Sequence, residues 1–191
     1  ILFRLVGSEM CIRDRMMTEA AVAEFSKVDF RQAMGNFCTG VTVVTGIDNG
    51  EPVGFAAQSF VSLSLEPPLV AVCPAKTSSS WPRIRAAGNF CINILAADQL
   101  AICQTMAQSG ADKFADIDWH SGITGAPIIQ GGLAYVDCSL ADEHEAGDHT
   151  IAIGQVEDFK LLDSVAQPLL FMRSGYGCLL YTSDAADDLG R

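Results

Sequence analysis

Apolar and polar residues alternate along much of this chain, and that period of two predicts a structure built mainly from β-strands. The clearest stretch, residues 53–74, reads VGFAAQSFVSLSLEPPLVAVCP and is typical of two strands joined by a Pro-Pro turn. Alternation within it places Ser62 and Ser64 on one face and apolar residues on the other. This pattern suits a flat ligand lying against a sheet, although an ordinary half-exposed edge strand would show it too.

Further strands are predicted on both sides of this stretch. Asp48-Asn49-Gly50 is a hairpin signal between two β-rich segments. The predicted strands cover residues 40–46, 52–60, 69–73, 89–95, 133–140, 149–162 and 168–172, and residues 141–148 are predicted to form a loop.

Helices are predicted to be few and short. Residues 27–37 follow a capping-box-like start at Ser26, and residues 97–108 also have a helical pattern. A third helix is expected to begin at Ser79 or Ser80, with Pro82 in its first turn, and to end at Gly88. Because strands outnumber helices and no glycine-rich phosphate loop occurs, the pattern predicts a closed antiparallel β-barrel with a few peripheral helices.

Composition limits the classes of function. The chain has 191 residues, of which 49% are apolar and 18% charged, which indicates one globular domain. Its net charge of −11 disfavours nucleic acid and anionic membranes as partners, so an anionic cofactor would need a local basic pocket. The long uncharged run at 119–136 contains several glycines and a proline, and is a poor candidate for a membrane span.

The two ends look foreign to the rest. Residues 1–15 and 178–191 resemble translated sequencing-adapter segments, which leaves 16–177 as the expected domain, although a genuine flexible extension is the alternative. Of the seven cysteines, Cys11 and Cys178 fall in these ends and the others form no CxxC pair. An odd number of cysteines without a predicted secretory signal favours a reducing cytoplasm.

The densest basic patch of this acidic chain is the segment KTSSSWPRIR at residues 76–85. Hydroxyls and N–H groups at a helix start, with cations nearby, form a site for an anion such as a flavin phosphate. A serine-rich capped loop with a solvated basic face is the alternative.

A second candidate is Gly147-Asp148-His149, at a predicted junction between loop and strand. His149 could contact nicotinamide or substrate, because imidazole donates hydrogen bonds and carries charge near neutral pH, or it could simply close the turn. A metal site is disfavoured, since His144 and His149 lack the HExxH spacing. A Ser–His–Asp hydrolase lacks the GxSxG motif.

Several blocks together resemble the flavin reductase family, which has the FMN-binding split-barrel fold. They are FRQAMGNFCTGVTVVT, PVGFAAQSFVSLSLEPPLV, TSSSWPRIRAAGNFCINIL, DKFADIDW, GAPII, LAYVDC, GDHTIAIGQV and PLLFMRSGY, in this order across residues 28–177. The chain is most similar to the small reductase components of two-component monooxygenases, including those that act on steroid-derived phenols.

The resemblance implies an enzyme that transfers a hydride from NADH or NADPH to FMN or FAD and supplies reduced flavin to an oxygenase component. It also implies a homodimer, and no metal, protein nucleophile or other catalytic side chain is needed. The implied flavin contacts are Gly54, Phe55, Ala56, Gln58, Ser59, Cys73, Pro74, Ala75, Ser79 and Ser80, and the implied nicotinamide-side residues are His149 and Tyr176. Many family members have Thr where this chain has Ala56, so one hydroxyl contact to the flavin is missing.

Two other classes remain open at this point. One is a split-barrel protein that binds flavin without oxidising a nicotinamide. The other is a pyridoxamine-phosphate-oxidase-like enzyme, for which the GDH and SFVSLS blocks are poor evidence.

Overall fold

The computed structural model describes residues 26–110, 112–163 and 165–179. The predicted foreign segment 1–15 lies outside these ranges, as does most of the segment 178–191. Cys178 and Leu179 are described, and they belong to no helix or strand. The proposed division of the chain at residues 16 and 177 therefore stays a prediction.

The described residues form mainly strands with a few short helices, as predicted. The helices are α1 (Lys27–Met34), α2 (Trp81–Ala87) and α3 (Leu100–Ala107), with a 3₁₀ turn at Ala97–Gln99 before α3. The strands are β1 (Thr39–Gly40), β2 (Thr42–Asp48), β3 (Glu51–Ala57), β4 (Val61–Leu65), β5 (Pro68–Val72), β6 (Asn89–Ile94), β7 (Trp119–Ser121), β8 (Pro127–Ile129), β9 (Ala134–Ala146), β10 (His149–Leu161), β11 (Leu170–Met172) and β12 (Gly175–Gly177).

Seven strands form the central antiparallel sheet, in the order β3-β2-β6-β9-β10-β5-β4. Two smaller sheets accompany it, one of β1, β11 and β12 and one of β7 and β8. Within the described ranges β3 and β4 are the edges of the large sheet, and no backbone ladder joins them. The short link between these two edge strands, residues 58–60, lies within the segment 53–74, whose pattern suits a flat ligand lying against a sheet.

Both faces of the central sheet are buried, because successive side chains of a strand point to opposite faces. Val44 of β2 packs in a core with Phe90 and Trp81, whereas its neighbour Val43 packs in a second core with Met106 and Leu95. Gly154 of β10 packs against this first core, because a Cβ on Gly154 would lie 2.6 Å from the Phe90 ring. The sheet is therefore closely packed at its centre.

Local sequence signals correctly predicted two turns. Asn49 and Gly50 have φ of 51° and 86°, which is the type I′ geometry expected of an Asn-Gly hairpin. Gly88, with φ of 76°, ends α2 in the left-handed conformation. At the other end Ser80 is the N-cap residue, which confirms the predicted start of the helix. Its side chain makes no capping bond, because Ser80 Oγ donates to the Gly54 carbonyl, and the Trp81 N–H donates to Ser78 Oγ at 3.1 Å.

The predicted loop at 141–148 is wrong. β9 continues to Ala146 and β10 begins at His149, so only Gly147 and Asp148 form the turn, with Gly147 at φ of 66°. The error arises because residues 141–145 are polar and mostly exposed, and an exposed strand has the same composition as a loop. Smaller differences are that α1 ends at Met34 and that β7, β8 and β12 had not been predicted.

Candidate functional site

A cavity of about 380 Å³ lies where the end of β3, the link to β4, the end of β5 and the start of β10 meet. We call it the ring cavity. It brings together most of the predicted site residues, namely Phe55, Ala56, Gln58, Ser59, Cys73, Pro74, Ala75, His149 and Tyr176. Its other lining residues are Val41, Ala57, Ser78, Cys103 and Ala107.

The wall formed by β3 and β5 is fixed by bonds inside the protein. Ser59 Oγ accepts a hydrogen bond from the Cys73 N–H at 2.8 Å and lies 3.4 Å from the Cys73 carbonyl oxygen. Thr42 Oγ1 donates to the Ala57 carbonyl at 3.0 Å. The Ser59 hydroxyl therefore positions this wall, and a ligand would meet the exposed backbone and the Gln58 side chain beside it.

The GDH turn is held against the segment that follows β5. The Lys76 N–H donates to the Asp148 carbonyl at 3.0 Å and the Thr150 N–H donates to the Pro74 carbonyl at 3.0 Å. These two bonds place His149 opposite Ala75, at the rim of the ring cavity.

His149 also has a side-chain partner. Its Nδ1 lies 2.8 Å from Asp148 Oδ1, and this hydrogen bond, followed by the positive charges of His149 and Lys27, lowers the pKa of Asp148. Within the described ranges Nε2 has no hydrogen-bond partner, so that nitrogen is available to a ligand.

Tyr176 is oriented from two sides at the same rim. Its ring contacts Phe171 edge-on, with centroids 5.0 Å apart. The Cys103 thiol lies 3.6 Å from its hydroxyl, and this hydrogen bond, together with burial, raises the pKa of Tyr176. Tyr176 is therefore a neutral aromatic wall at physiological pH.

The remaining predicted flavin contacts line a second cavity of about 680 Å³, which we call the phosphate cavity. Gly54, Ser79 and Ser80 lie there with the cations Arg83 and Lys113. The Gly54 carbonyl accepts bonds from Ser80 Oγ at 2.9 Å and from Lys113 Nζ at 3.0 Å. Residues 51–54 of β3 line this cavity and residues 55–57 line the ring cavity, so the two cavities lie next to each other along one strand.

Gly54 is required for packing as well as for its place in the cavity. A Cβ there would lie 3.1 Å from the Val44 carbonyl oxygen and 3.2 Å from Met106 Sδ. Such contacts are tighter than ordinary packing allows, so a larger residue would move β3 away from β2 and α3.

Several lining residues of the two cavities had not been predicted as flavin contacts. Among them, Ser78, from the predicted anion-binding segment 76–85, and Cys103 line the ring cavity, and Lys113 lines the phosphate cavity. Burial lowers the pKa of Lys113, whose ammonium also donates to the Met106 carbonyl at 3.0 Å. The DKFADIDW block contains Lys113, but only the tertiary fold brings it to Gly54.

Neither a metal site nor a membrane-spanning helix occurs in the part of the chain that the structure describes. No three His, Cys, Asp or Glu side chains there are grouped as metal ligands. No helix in the same ranges is long and apolar enough to cross a bilayer.

The two cavities fit a flavin by their chemistry. The ring cavity has the size of a small-molecule site and is walled largely by apolar groups of Val41, Phe55 and Ala56, which suits a flat aromatic ring. The phosphate cavity is lined by the carboxylates of Glu51 and Asp112 as well as by two cations and three serine hydroxyls, and the cations and hydroxyls are groups that bind a phosphate.

The chain belongs to the family of flavin reductase like domains, whose model matches residues 34–179. The family and the enzyme class that the sequence motifs predicted are thereby confirmed.

Individual relatives agree with this assignment. The reductase subunit HsaB of a flavin-dependent monooxygenase from Rhodococcus jostii is 51% identical over 147 residues, which are 77% of this chain and 75% of that protein. Nitrilotriacetate monooxygenase component B from Mycobacterium thermoresistibile superposes with a TM-score of 0.78 at 43% identity, covering 86% of this chain and 94% of that one. The NADH:FAD oxidoreductase SgcE6 of Streptomyces globisporus C-1027, solved with NAD and FAD fragments, gives a TM-score of 0.77 at 35% identity, covering 85% and 99%.

Proposed function

We propose that this protein is an NAD(P)H:flavin oxidoreductase that supplies reduced FMN or FAD to a partner monooxygenase. The observation that carries the proposal is the ring cavity, where the β3 and β5 walls meet His149 and Tyr176 at one rim. The names of the relatives supply the class of reaction, since they include a reductase subunit of a monooxygenase and an NADH:FAD oxidoreductase.

The flavin, when bound, accepts the hydride and provides the redox chemistry. In this proposal Phe55, Ala56 and the segment Cys73–Ala75 hold its ring, with Gln58 at the polar edge. Ser79, Ser80, Arg83 and Lys113 hold its phosphate in the adjoining cavity along β3.

His149 and Tyr176 are proposed to hold the nicotinamide against that ring. His149 Nε2 is free to bond a carboxamide or phosphate, and the neutral Tyr176 ring provides an apolar surface. Hydride transfer needs the two reacting carbons about 3–3.5 Å apart and aligned. The protein therefore acts by orienting two ligands and excluding water, and no side chain has to donate or remove a proton.

The biological partner is proposed to be a flavin-dependent oxygenase in aromatic or steroid catabolism. The support is the resemblance of the sequence blocks and the relative named as a reductase subunit of a flavin-dependent monooxygenase.

The working form of the enzyme is proposed to be a homodimer. Helix α1 has no buried residue, Met34 at its end is 56% exposed, and Phe37, three residues farther on, is 78% exposed. Large exposed apolar side chains close together favour coverage by another molecule. A second copy of this chain is the partner that the family resemblance implies.

The central sheet is proposed to curl into the closed split barrel predicted from the sequence. Val53 of β3 and Val70 and Val72 of β5 share one core although four strands intervene between β3 and β5 in the sheet order. Strands so far apart can share a core only if the sheet bends round it, as in a small barrel.

A reducing cytoplasm is the proposed location. Every cysteine in the described ranges is a free thiol, including the exposed Cys38. Free thiols in this number are typical of proteins in a reducing compartment.

Steady-state kinetics tests the proposed reaction. The purified full chain should oxidise NADH or NADPH only when FMN, FAD or riboflavin is added. The absence of a flavin-dependent rate with either nicotinamide would overturn the proposal.

A further inference from the structure

The four arginines of the described residues differ in their surroundings. Arg83 and Arg85 form surface ion pairs, Arg83 Nε with Asp48 Oδ2 at 2.6 Å and Arg85 with Glu143 at 3.2 Å. The other two, Arg31 and Arg173, have no carboxylate partner among the described residues. These two unpaired cations line the same cavity.

That cavity, of about 440 Å³, lies between α1 and the turn that joins β11 to β12. Arg173 Nε donates to Asn36 Oδ1 at 2.7 Å, which leaves the terminal nitrogens of its guanidinium free of ion pairs within the described ranges. Gln32 and Ser174 add further polar groups to the walls. We call it the arginine cavity, and in a chain of net charge −11 it is suited to an anion.

The backbone at this turn is held in an uncommon conformation. Arg173 and Ser174 have φ of 50° and 64°, in the left-handed region that residues other than glycine rarely adopt. Met172 pairs with Gly175, so Arg173 and Ser174 are the two central residues of a hairpin turn, whose type I′ geometry requires positive φ at both. The hairpin turn holds Arg173 at the wall of the arginine cavity.

Helix α1 connects the arginine cavity to the nicotinamide side of the ring cavity. At its start, the charge of Lys27 contributes to lowering the pKa of Asp148, after the larger effect of the hydrogen bond from His149. At its other end, the Arg173 N–H donates to the Gly35 carbonyl at 2.8 Å. Tyr176 lies three positions after Arg173 on the β11–β12 hairpin, so their Cα atoms are at most about 10 Å apart.

We propose that the arginine cavity binds the phosphates in the adenosine half of the nicotinamide dinucleotide. The inference rests on the proposed function, in which the nicotinamide lies beside His149 and Tyr176. Guanidinium groups bind phosphate oxygens in a bidentate manner, so Arg31 and Arg173 would anchor the adenosine half while the nicotinamide aligns with the flavin. The adenosine half of FAD carries the same chemistry, and the experiments below separate the two ligands.

Calorimetry with ADP-ribose, which contains the adenosine half without nicotinamide, tests the binding directly. Arg31→Gln is the informative variant because the Arg31 side chain makes no ion pair within the described ranges, so its loss should not unfold α1. We expect ADP-ribose affinity to fall about tenfold or more, as for the loss of a hydrogen bond to a charged group. Lys160→Gln removes the same charge from the distal end of β10 and should change nothing. Unchanged affinity in Arg31→Gln would overturn the inference.

Kinetics identifies the ligand. In Arg31→Gln the KM for NADH should rise about tenfold, while the KM for reduced nicotinamide mononucleotide, which lacks adenosine, stays the same. Equal changes in the KM values for NADH and reduced nicotinamide mononucleotide would overturn the inference. So would a loss of affinity for FAD without a loss for FMN. Turnover of reduced nicotinamide mononucleotide with FMN reports on the flavin reductase activity itself, so failure of the inference is distinguishable from failure of the proposed function.

Discussion

At the scale of single residues, His149 is the side chain whose position is most sharply defined. Two backbone hydrogen bonds hold its turn against the segment after β5, and Asp148 binds its Nδ1. His149 lines the ring cavity, and its remaining nitrogen has no partner among the described residues. Its role as a nicotinamide contact stays a prediction, which a substitution can test.

His149→Ala should lower kcat/KM for NAD(P)H about ten- to hundredfold, because a hydrogen bond to a polar or charged group is lost. Flavin affinity should change little, since the β3 and β5 walls do not involve this side chain. His144→Ala is the matched control, because His144 lies exposed on β9 and pairs only with Asp142. Equal losses for both ligands together with a lower Tm would instead show that His149 only holds the turn.

The cysteines offer a second test at this scale. Burial, followed by the charge of Asp137, raises the pKa of Cys91 and raises that of Cys138 to about 12, so neither should react near neutral pH. Cys73 lines the ring cavity and Cys38 is exposed on the surface.

Bound flavin should therefore protect Cys73 from alkylation by iodoacetamide and leave the rate at Cys38 unchanged. Peptide mass spectrometry of samples labelled with and without FMN measures both rates in one experiment. Labelling of Cys73 at the same rate with saturating flavin would contradict the assignment of the ring cavity to flavin.

At the scale of elements, α1 has two different faces. Val28, Arg31 and Gln32 line the arginine cavity. Met34 and, beyond the end of the helix, Phe37 do not line it and are exposed to solvent. A helix without a buried residue derives little stability from packing within its own chain. The proposed second copy would supply that packing.

Met34→Asp and Phe37→Asp should each weaken the dimer, because a charge would be buried in an apolar contact. Ile123→Asp, at a position that is 74% exposed between β7 and β8, is the control and should leave the oligomeric state unchanged. Sedimentation over a concentration series distinguishes the outcomes. A wild-type chain that stays monomeric at micromolar concentration would contradict the proposed homodimer.

The elements also show where sequence patterns succeed. The β2–β3 hairpin and the end of α2 were predicted because Asn49, Gly50 and Gly88 act through local backbone geometry. The β9–β10 turn was mispredicted because exposed strands and loops share a polar composition. The strand β12 is three residues long and has two glycines, so it gives no pattern of its own.

The candidate site was likewise predictable only in part. Residues 55–59 form one continuous stretch of sequence and residues 73–75 form another, so a motif could mark each stretch before the fold was known. Lys113 and Ser78 reach the two cavities only through the approach of α3 and α2 to β3. Such contacts depend on packing between distant segments, which alternation and turn signals do not encode.

At the scale of the whole molecule, strand order was also beyond local prediction. β6 pairs with both β2 and β9, and β10 pairs with both β9 and β5, so neighbours in the sheet lie far apart in sequence. In this arrangement β3 is an edge strand, and the phosphate cavity and the ring cavity lie next to each other along it. In the proposed function, a ligand with a flat ring and a phosphate uses both.

The central claim is that the protein turns over free flavin instead of only binding it. The most direct measurement is anaerobic mixing of a small amount of protein with excess NADH or NADPH and a tenfold or greater excess of FMN or FAD over protein. We predict that the whole flavin absorbance bleaches, with an initial rate proportional to protein concentration. Bleaching of no more than one flavin per chain, or none, would contradict the account and leave a flavin-binding protein without reductase turnover.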